Sequence, residues 1–338
     1  MKTVFALNRL PCVILISMFG IMGTANLVFC ATADATEQNS QTSVSKEAAE
    51  DEEEAPMLEA SRAEAREATE WAARTFDSWF GDIPFEQGGK VSRGRVRFRT
   101  VWRENDDVDV KLRFRARMEL PNLKDKAYVI IGRENKDDLV RDTPEGFIEQ
   151  QHLFERTDSD DEAFFAGLGF KVLDQLSFSV GLRDLYKPYT KARYGYEWTF
   201  LEDYRADFRE TVFWVLDDGF GSTTTLHAER MLTPTLSLGW HGSGTVSEDE
   251  DGLDWSTSLG AYKNFDVNRQ LSLEILANGD TGDDVNVREY GVLTQWRQPL
   301  YHDWFFGEAS VGYYWEREEI EDAREGKWAL GFGVEMLF

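Results

Sequence analysis

Past residue 33 the sequence has no cysteine; the two in the chain are Cys12 and Cys30. Disulfides, thiol catalysis and cysteine metal sites are excluded for that portion. Long apolar runs are missing too, apart from Val13 to Phe29. That run follows Lys2 and Arg9 and precedes Ala31-Thr32-Ala33. It reads as a secretory signal peptide over residues 1–33, cleaved before Asp34. Cys30 raises a lipoprotein reading, but Phe29 is too bulky for the position before a lipidated cysteine. Positive charge is in deficit: the formal net charge is −25. This argues against nucleic acid as a partner.

Histidine is scarce, with four in 338 residues. His152 and His302 fall in connections, and nothing about them suggests a ligand set. No zinc spacing and no phosphate-binding glycine loop is present, so no cofactor and no metal is expected. His241 and Ser243 lie two apart on one strand face and faintly resemble the H-x-S pair of the outer-membrane phospholipase family. A pair acting on lipid should face the bilayer, whereas their alternation turns them away from it, and a third, orienting residue cannot be identified. His227, with Thr225 and Glu229, is a similar cluster. The chain is therefore read as no enzyme. The acidic stretches Ser247–Gly252 and Gly279–Asp284 supply oxygen ligands without the spacing of a Ca²⁺ loop.

What is present begins with an acidic segment, residues 34–55, ending in Glu50-Asp51-Glu52-Glu53-Glu54. It cannot bury enough apolar surface to order itself and reads as a disordered tether. From Pro56 to about Phe80, Ala, Glu and Arg predominate. An amphipathic helix is expected there, with Leu58, Ala65, Ala72 and Trp79 recurring every seven residues. Residues 56–90 are thus read as a periplasmic helix and linker.

From residue 91 to 338 the pattern is period two. Fourteen strands are expected, at 92–103, 108–120, 126–134, 162–172, 175–185, 190–201, 204–216, 222–232, 235–246, 254–263, 269–278, 286–297, 303–316 and 327–338. The weakest is 126–134, so twelve is the alternative count. Most have the length of a tilted membrane-crossing strand. Every second connection is short, as at Pro121-Asn122, Leu201–Asp203, Leu232–Pro234 and Asn264–Asn268. The others named by the pattern are acidic and polar. Trp102, Trp214, Trp255, Trp315 and Trp328 sit near one set of strand ends, and Trp296 and Trp304 near the other, as two interfacial girdles would.

The final stretch, Trp328 to Phe338, alternates strictly and ends on an aromatic residue. With Phe332, Val334, Met336 and Phe338 it resembles the C-terminal signature of Gram-negative outer-membrane β-barrels. The resemblance implies an all-β, antiparallel, up-and-down transmembrane barrel in the outer membrane, with its N-terminal segment in the periplasm. It also implies lipid and lipopolysaccharide around the barrel, and the barrel-assembly machinery as the reader of that strand.

Alternation assigns faces. Val96, Phe98, Trp102, Val110, Leu112, Phe114 and Met118 take the lipid side. Arg93, Arg95, Arg97, Arg99 and Arg103, then Lys111, Arg113, Arg115 and Arg117, take the lumen with Asp109 and Glu119. A guanidinium at the bilayer midplane costs roughly 2–4 kcal/mol, so this orientation is forced. Lys191, Arg193, Arg205 and Arg209 add inward cations. Glu197, Asp207, Glu229, Glu274, Glu289, Glu308 and Glu335 are inward acids. Either Arg–Glu pairs cross-link the lumen, or a basic wall faces an acidic one across water. Glu210 alone has lipid-facing parity: a bulge shifts the register, or it marks a lateral protein contact. Three functions remain open. The first is a channel for small, anionic solutes, with Glu50–Glu54 entering to damp it. The second is a structural barrel recruiting a periplasmic protein through residues 56–80. The third is a lipid-modifying enzyme.

Overall fold

The computed structural model describes residues 57–67, 69, 90–106, 108–120, 126–135, 162–184, 186–201, 203–216, 218–249, 251–266, 268–317 and 319–338. The expected signal peptide, the expected tether with Glu50–Glu54, the part of the expected helix past residue 69 with Trp79 and Phe80, and the segment holding His152 lie outside the described residues.

Fourteen strands form: β1 (Lys90–Arg103), β2 (Asp109–Glu119), β3 (Ala127–Asn135), β4 (Glu162–Lys171), β5 (Leu176–Arg183), β6 (Lys187–Phe200), β7 (Tyr204–Val215), β8 (Gly219–Thr233), β9 (Leu236–Ser247), β10 (Asp254–Asn264), β11 (Gln270–Asp280), β12 (Glu289–Tyr301), β13 (Phe305–Glu316) and β14 (Glu325–Leu337). Each pairs antiparallel with its neighbours in sequence, and β14 returns to β1, closing the barrel. The twelve-strand alternative is overturned, because β3 pairs on both sides. Strand β12 runs past the expected end at 297. Pro299 cannot donate to the ladder, and the register shifts between Pro299 and Tyr301 instead of the strand ending. The turns after β5 and β7 are as short as those on the opposite rim, so not every connection on the loop rim is long.

Contacts between non-adjacent strands identify the interior. Arg95 on β1 reaches Glu134 on β3, and Arg97 reaches Glu308 on β13. The opposite parity carries exposed apolar side chains, among them Trp102, Val110, Leu112, Phe178, Tyr194, Trp198, Val212, Trp240, Leu259, Ile275 and Phe332. Such a surface is stable only against hydrocarbon. Met118 keeps the outward parity but is fully buried, in a cluster with Leu120, Ala127 and Val129. Trp304 is also not at the lipid surface. It is 5% exposed, in the turn after β12.

Residues 57–67 form helix α1, with Thr69 also helical. Leu58, Ser61, Arg62, Ala65 and Thr69 are half-buried, while Glu59, Ala60, Ala63, Glu64, Arg66 and Glu67 are exposed. That is one helical face. It docks on the barrel rim: the Arg62 guanidinium lies 4.8 Å from the Trp304 ring and donates to the Leu337 carbonyl at 3.1 Å. Tyr301 donates to Glu59 at 3.3 Å.

Inside, aromatic rings lie on glycines. Tyr128 opposes Gly169, Phe165 opposes Gly132, Tyr189 opposes Gly181, Phe213 opposes Gly221, and Tyr314 opposes Gly291. A Cβ at any of these glycines meets its partner ring or that ring's own Cβ. All five aromatics are buried, and the flat tiling builds two inward apolar clusters. Gly169→Val forces the Tyr128 ring out of place, and overpacking of this kind costs about 1–3 kcal/mol. We expect a lower urea midpoint for the refolded variant; an unchanged midpoint would show that the ring is free to move away.

Candidate functional site

The inward charges on β1, β2 and their neighbours form a ladder across the closure. Glu335 on β14 accepts from Arg97 at 2.9 Å and from Arg297 on β12, with Arg95 at 3.9 Å. Glu308 on β13 lies 3.4 Å from Arg297 and 4.0 Å from Arg97, and accepts from Gln295 at 3.3 Å. Glu134 on β3 joins Arg95 at 3.4 Å to Arg115 at 3.2 Å. One ionic chain therefore runs from β12 to β3 through the β14–β1 seam. The side chains of Glu335 and Glu308 are under a tenth exposed. Buried pairs of this kind bring large penalties when one partner is lost.

The other expected site residues are placed as follows. Lys111 bridges Asp109 at 2.8 Å, and Arg103 lies 3.9 Å from the same carboxylate. Arg113 meets Glu162 at 2.8 Å. Arg117 stacks 3.5 Å from the Tyr128 ring. Arg99 opposes Lys111 and Gly333 in register. Arg93 opposes Arg117, and its side chain lies outside the described residues. Arg205 pairs with Glu197 at 3.1 Å, both more than half exposed, and opposes Glu229. Glu274 is fully buried beside Leu293, and Glu289 is buried opposite Asn278. At the final strand, Phe332 is exposed to the outside and Met336 is buried. The Phe338 ring covers Gly94.

A bulge at Glu210 is ruled out. β7 pairs with β6 and β8 without a register shift, so the carboxylate does face outward. It accepts hydrogen bonds from Ser222 and from Thr224, the latter at 2.6 Å. Two hydroxyls from β8 thus offset part of the cost of a carboxylate on an apolar exterior.

Two cavities lie on the β2–β7 side. A gap of about 20 Å³ is lined by Arg115, Arg117, Tyr128, Ile130, Ser177, Ser179, Lys191 and Arg193. Its lining holds four cations and no carboxylate. Ser177 and Arg193 also line a cavity of about 550 Å³, where Lys171 and Arg209 are joined by Asp174, Glu197 and Asp207. Arg115 belongs to both, pairing with Glu134 at the end of the charged ladder and lining the basic gap. Among the acidic loops, Arg288 gathers Asp254, Asp280 and Asp283 at 3.6, 3.7 and 3.5 Å.

Sequence reasoning missed Arg297, Glu134, Glu162 and Arg183, which bridges Asp218 at 2.6 Å. Arg297, Glu134 and Glu162 are the terminal residues of their expected strands, where alternation is hardest to read, and Arg183 lies two residues inside the end of its own. The aromatic–glycine pairs were also missed, although inward glycines recur along β3 to β6.

By sequence, the chain matches no protein-family profile and none of the curated proteins. By fold, it is similar to an anion-selective porin from Comamonas acidovorans, at 9% identity and TM-score 0.43, covering 74% of this chain and 100% of that one. It is similar to OprD of Pseudomonas aeruginosa, at 8% identity and TM-score 0.41, covering 75% and 95%. It is also similar to OmpT, an outer membrane protein of Vibrio cholerae, at 10% identity and TM-score 0.40, covering 74% and 98%. These are likenesses of fold alone. The closed sheet and apolar exterior have a plain meaning. The chain is a transmembrane β-barrel.

Glu335→Gln removes the charge shared by Arg95, Arg97 and Arg297. We expect a loss of about 3 kcal/mol in unfolding free energy, as for breaking a buried pair. The double variant Arg97→Met with Glu335→Met is expected to recover part of it, and a double variant no better than the single would show that the ladder is not coupled.

Proposed function

We propose that the barrel is a narrow outer-membrane channel for small anions. The observation that carries this reading is the gap lined by Arg115, Arg117, Lys191 and Arg193. Cations brought together on a low-dielectric wall raise the local concentration of anions and repel other cations. The gap shares Ser177 and Arg193 with the larger mixed-charge cavity, where Asp174, Glu197 and Asp207 would give a solute a graded exit from a basic site. Arg97, Arg297, Glu308 and Glu335 lie on β1 and β12–β14, the arc that adjoins β2, and have a bracing role here. The aromatic–glycine tiles narrow the passage, so small conductance steps are expected.

A second reading has its own observation. α1 is seated on the rim through Arg62, leaving a polar face of Glu59, Ala60, Ala63, Glu64, Arg66 and Glu67 outward. That face suits recruitment of a periplasmic protein.

Planar-bilayer recording separates the two. In a salt gradient the wild-type reversal potential should report anion preference. Replacing Arg117, Lys191 and Arg193 together by Gln should cut the anion-to-cation permeability ratio by roughly 3–10-fold, since a charged lining sets the barrier. Silence from correctly folded barrel would favour the recruiting reading, and cation preference would overturn the proposed one.

A further inference from the structure

We propose that His227 and His241 form a binding site for a borderline divalent transition-metal ion, with Cu²⁺ held most strongly. The two are fourteen positions apart and carry no motif spacing. The β8–β9 register sets them directly opposite each other on the inner face. Their ring centroids stand 5.2 Å apart with an interplanar angle of 37°. Two imidazole nitrogens on one ion, each at about 2.0–2.1 Å, stand about 3–4 Å from each other. Rings at this separation reach that spacing by small side-chain rotations.

The surroundings suit an ion. Both histidines are half-buried, and His241 Nε2 itself is buried, so an ion reaches it once the side chain turns toward the lumen. Asp207 opposes His227 from β7, and Glu197 opposes Asp207 from β6. The inner wall thus carries a single row of Glu197, Asp207, His227 and His241. The 550 Å³ cavity reaches Glu197 and Asp207, which gives an entry path along the row. Ser258 continues the row beyond His241, and Ser243 and Thr225 flank it with hydroxyls.

Among the described residues no group of three or more His, Cys, Asp or Glu is close enough for a complete ligand set. The site is therefore two imidazoles completed by water, an open and exchangeable site rather than a structural one. Neutral imidazole favours Cu²⁺, Ni²⁺ and Zn²⁺ over Mg²⁺ and Ca²⁺, and Cu²⁺ heads that order. Arg209 is within electrostatic reach of His241 and weakens the hold on a dication. Asp207 opposes that effect, so moderate affinity is expected.

The test is electron paramagnetic resonance of Cu²⁺ added to the full chain folded in detergent, which does not depend on whether the barrel conducts. One bound Cu²⁺ per barrel with coupling to two nitrogens is expected. His227→Ala and His241→Ala should each weaken binding by roughly tenfold or more, a lower bound taken from the loss of outer-shell partners. Excess Mg²⁺ should not compete. Folding is checked by the heat-dependent gel shift. His227→Gln and His241→Gln, which keep side-chain bulk, serve where an alanine variant fails to fold. Absence of bound Cu²⁺ would overturn the proposal, and so would unchanged binding after both histidines are replaced.

Discussion

A sheet in hydrocarbon has no water to satisfy an open edge, so its first and last strands must find each other. Here β1 meets β14 in unbroken register from Arg95 opposite Leu337 to Arg103 opposite Ala329. Gly94 and Phe338 finish the seam with reciprocal backbone bonds of 2.9 Å. Closure has a second consequence. Face parity must stay consistent around the whole ring, so every inward residue on β1 fixes its counterparts on thirteen other strands. The basic residues of β1 and β2 are inward because the bilayer refuses them. The acids that meet them must then be inward on β3, β13 and β14.

The seam is where the charge is densest. Arg97 and Glu335 oppose each other directly across it, and Arg297, Glu308, Arg95, Glu134 and Arg115 extend the contact on both sides. Ionic bracing on one arc of the wall, aromatic rings laid on glycines over another, and a basic gap between them divide the interior into parts with different work. Side chains that brace the wall pair with one another. Those around the gap face a wall segment with cations from β2 and β6 and hydroxyls from β5. The exterior has its own exception in Glu210, which is kept tolerable by hydroxyls on the next strand rather than by a twist of the backbone.

Much of the fold was legible in the sequence because a strand's period of two is simple. The arginines at 95, 97 and 99 against Val96 and Phe98 leave no choice of face. Alternation says nothing about register, however. It could not show that His227 lies opposite His241, or that Glu134 falls between Arg95 and Arg115. Those facts depend on turn lengths and on irregularities such as the shift at Pro299, which involve distant parts of the chain. Trp304 does lie at a strand end, but it is withdrawn from the lipid girdle for a similar reason: its burial comes from the turn it occupies and the helix docked beside it. Met118 has the right parity, but its burial comes from packing that parity does not encode. The aromatic–glycine pairs needed register as well, since each partner is unremarkable by itself.

The central claim is that water and a basic field meet at the β5 wall between the two cavities. Ser177 lines both of them, and the scarcity of cysteine makes it addressable. The measurement is the rate at which Ser177→Cys, in a background with Cys12 and Cys30 removed or replaced, is modified by an anionic and by a cationic methanethiosulfonate of similar size. Faster modification by the anionic reagent, with the difference shrinking at high salt, is the result expected. No modification in folded barrel, or faster modification by the cationic reagent, would contradict a hydrated basic passage.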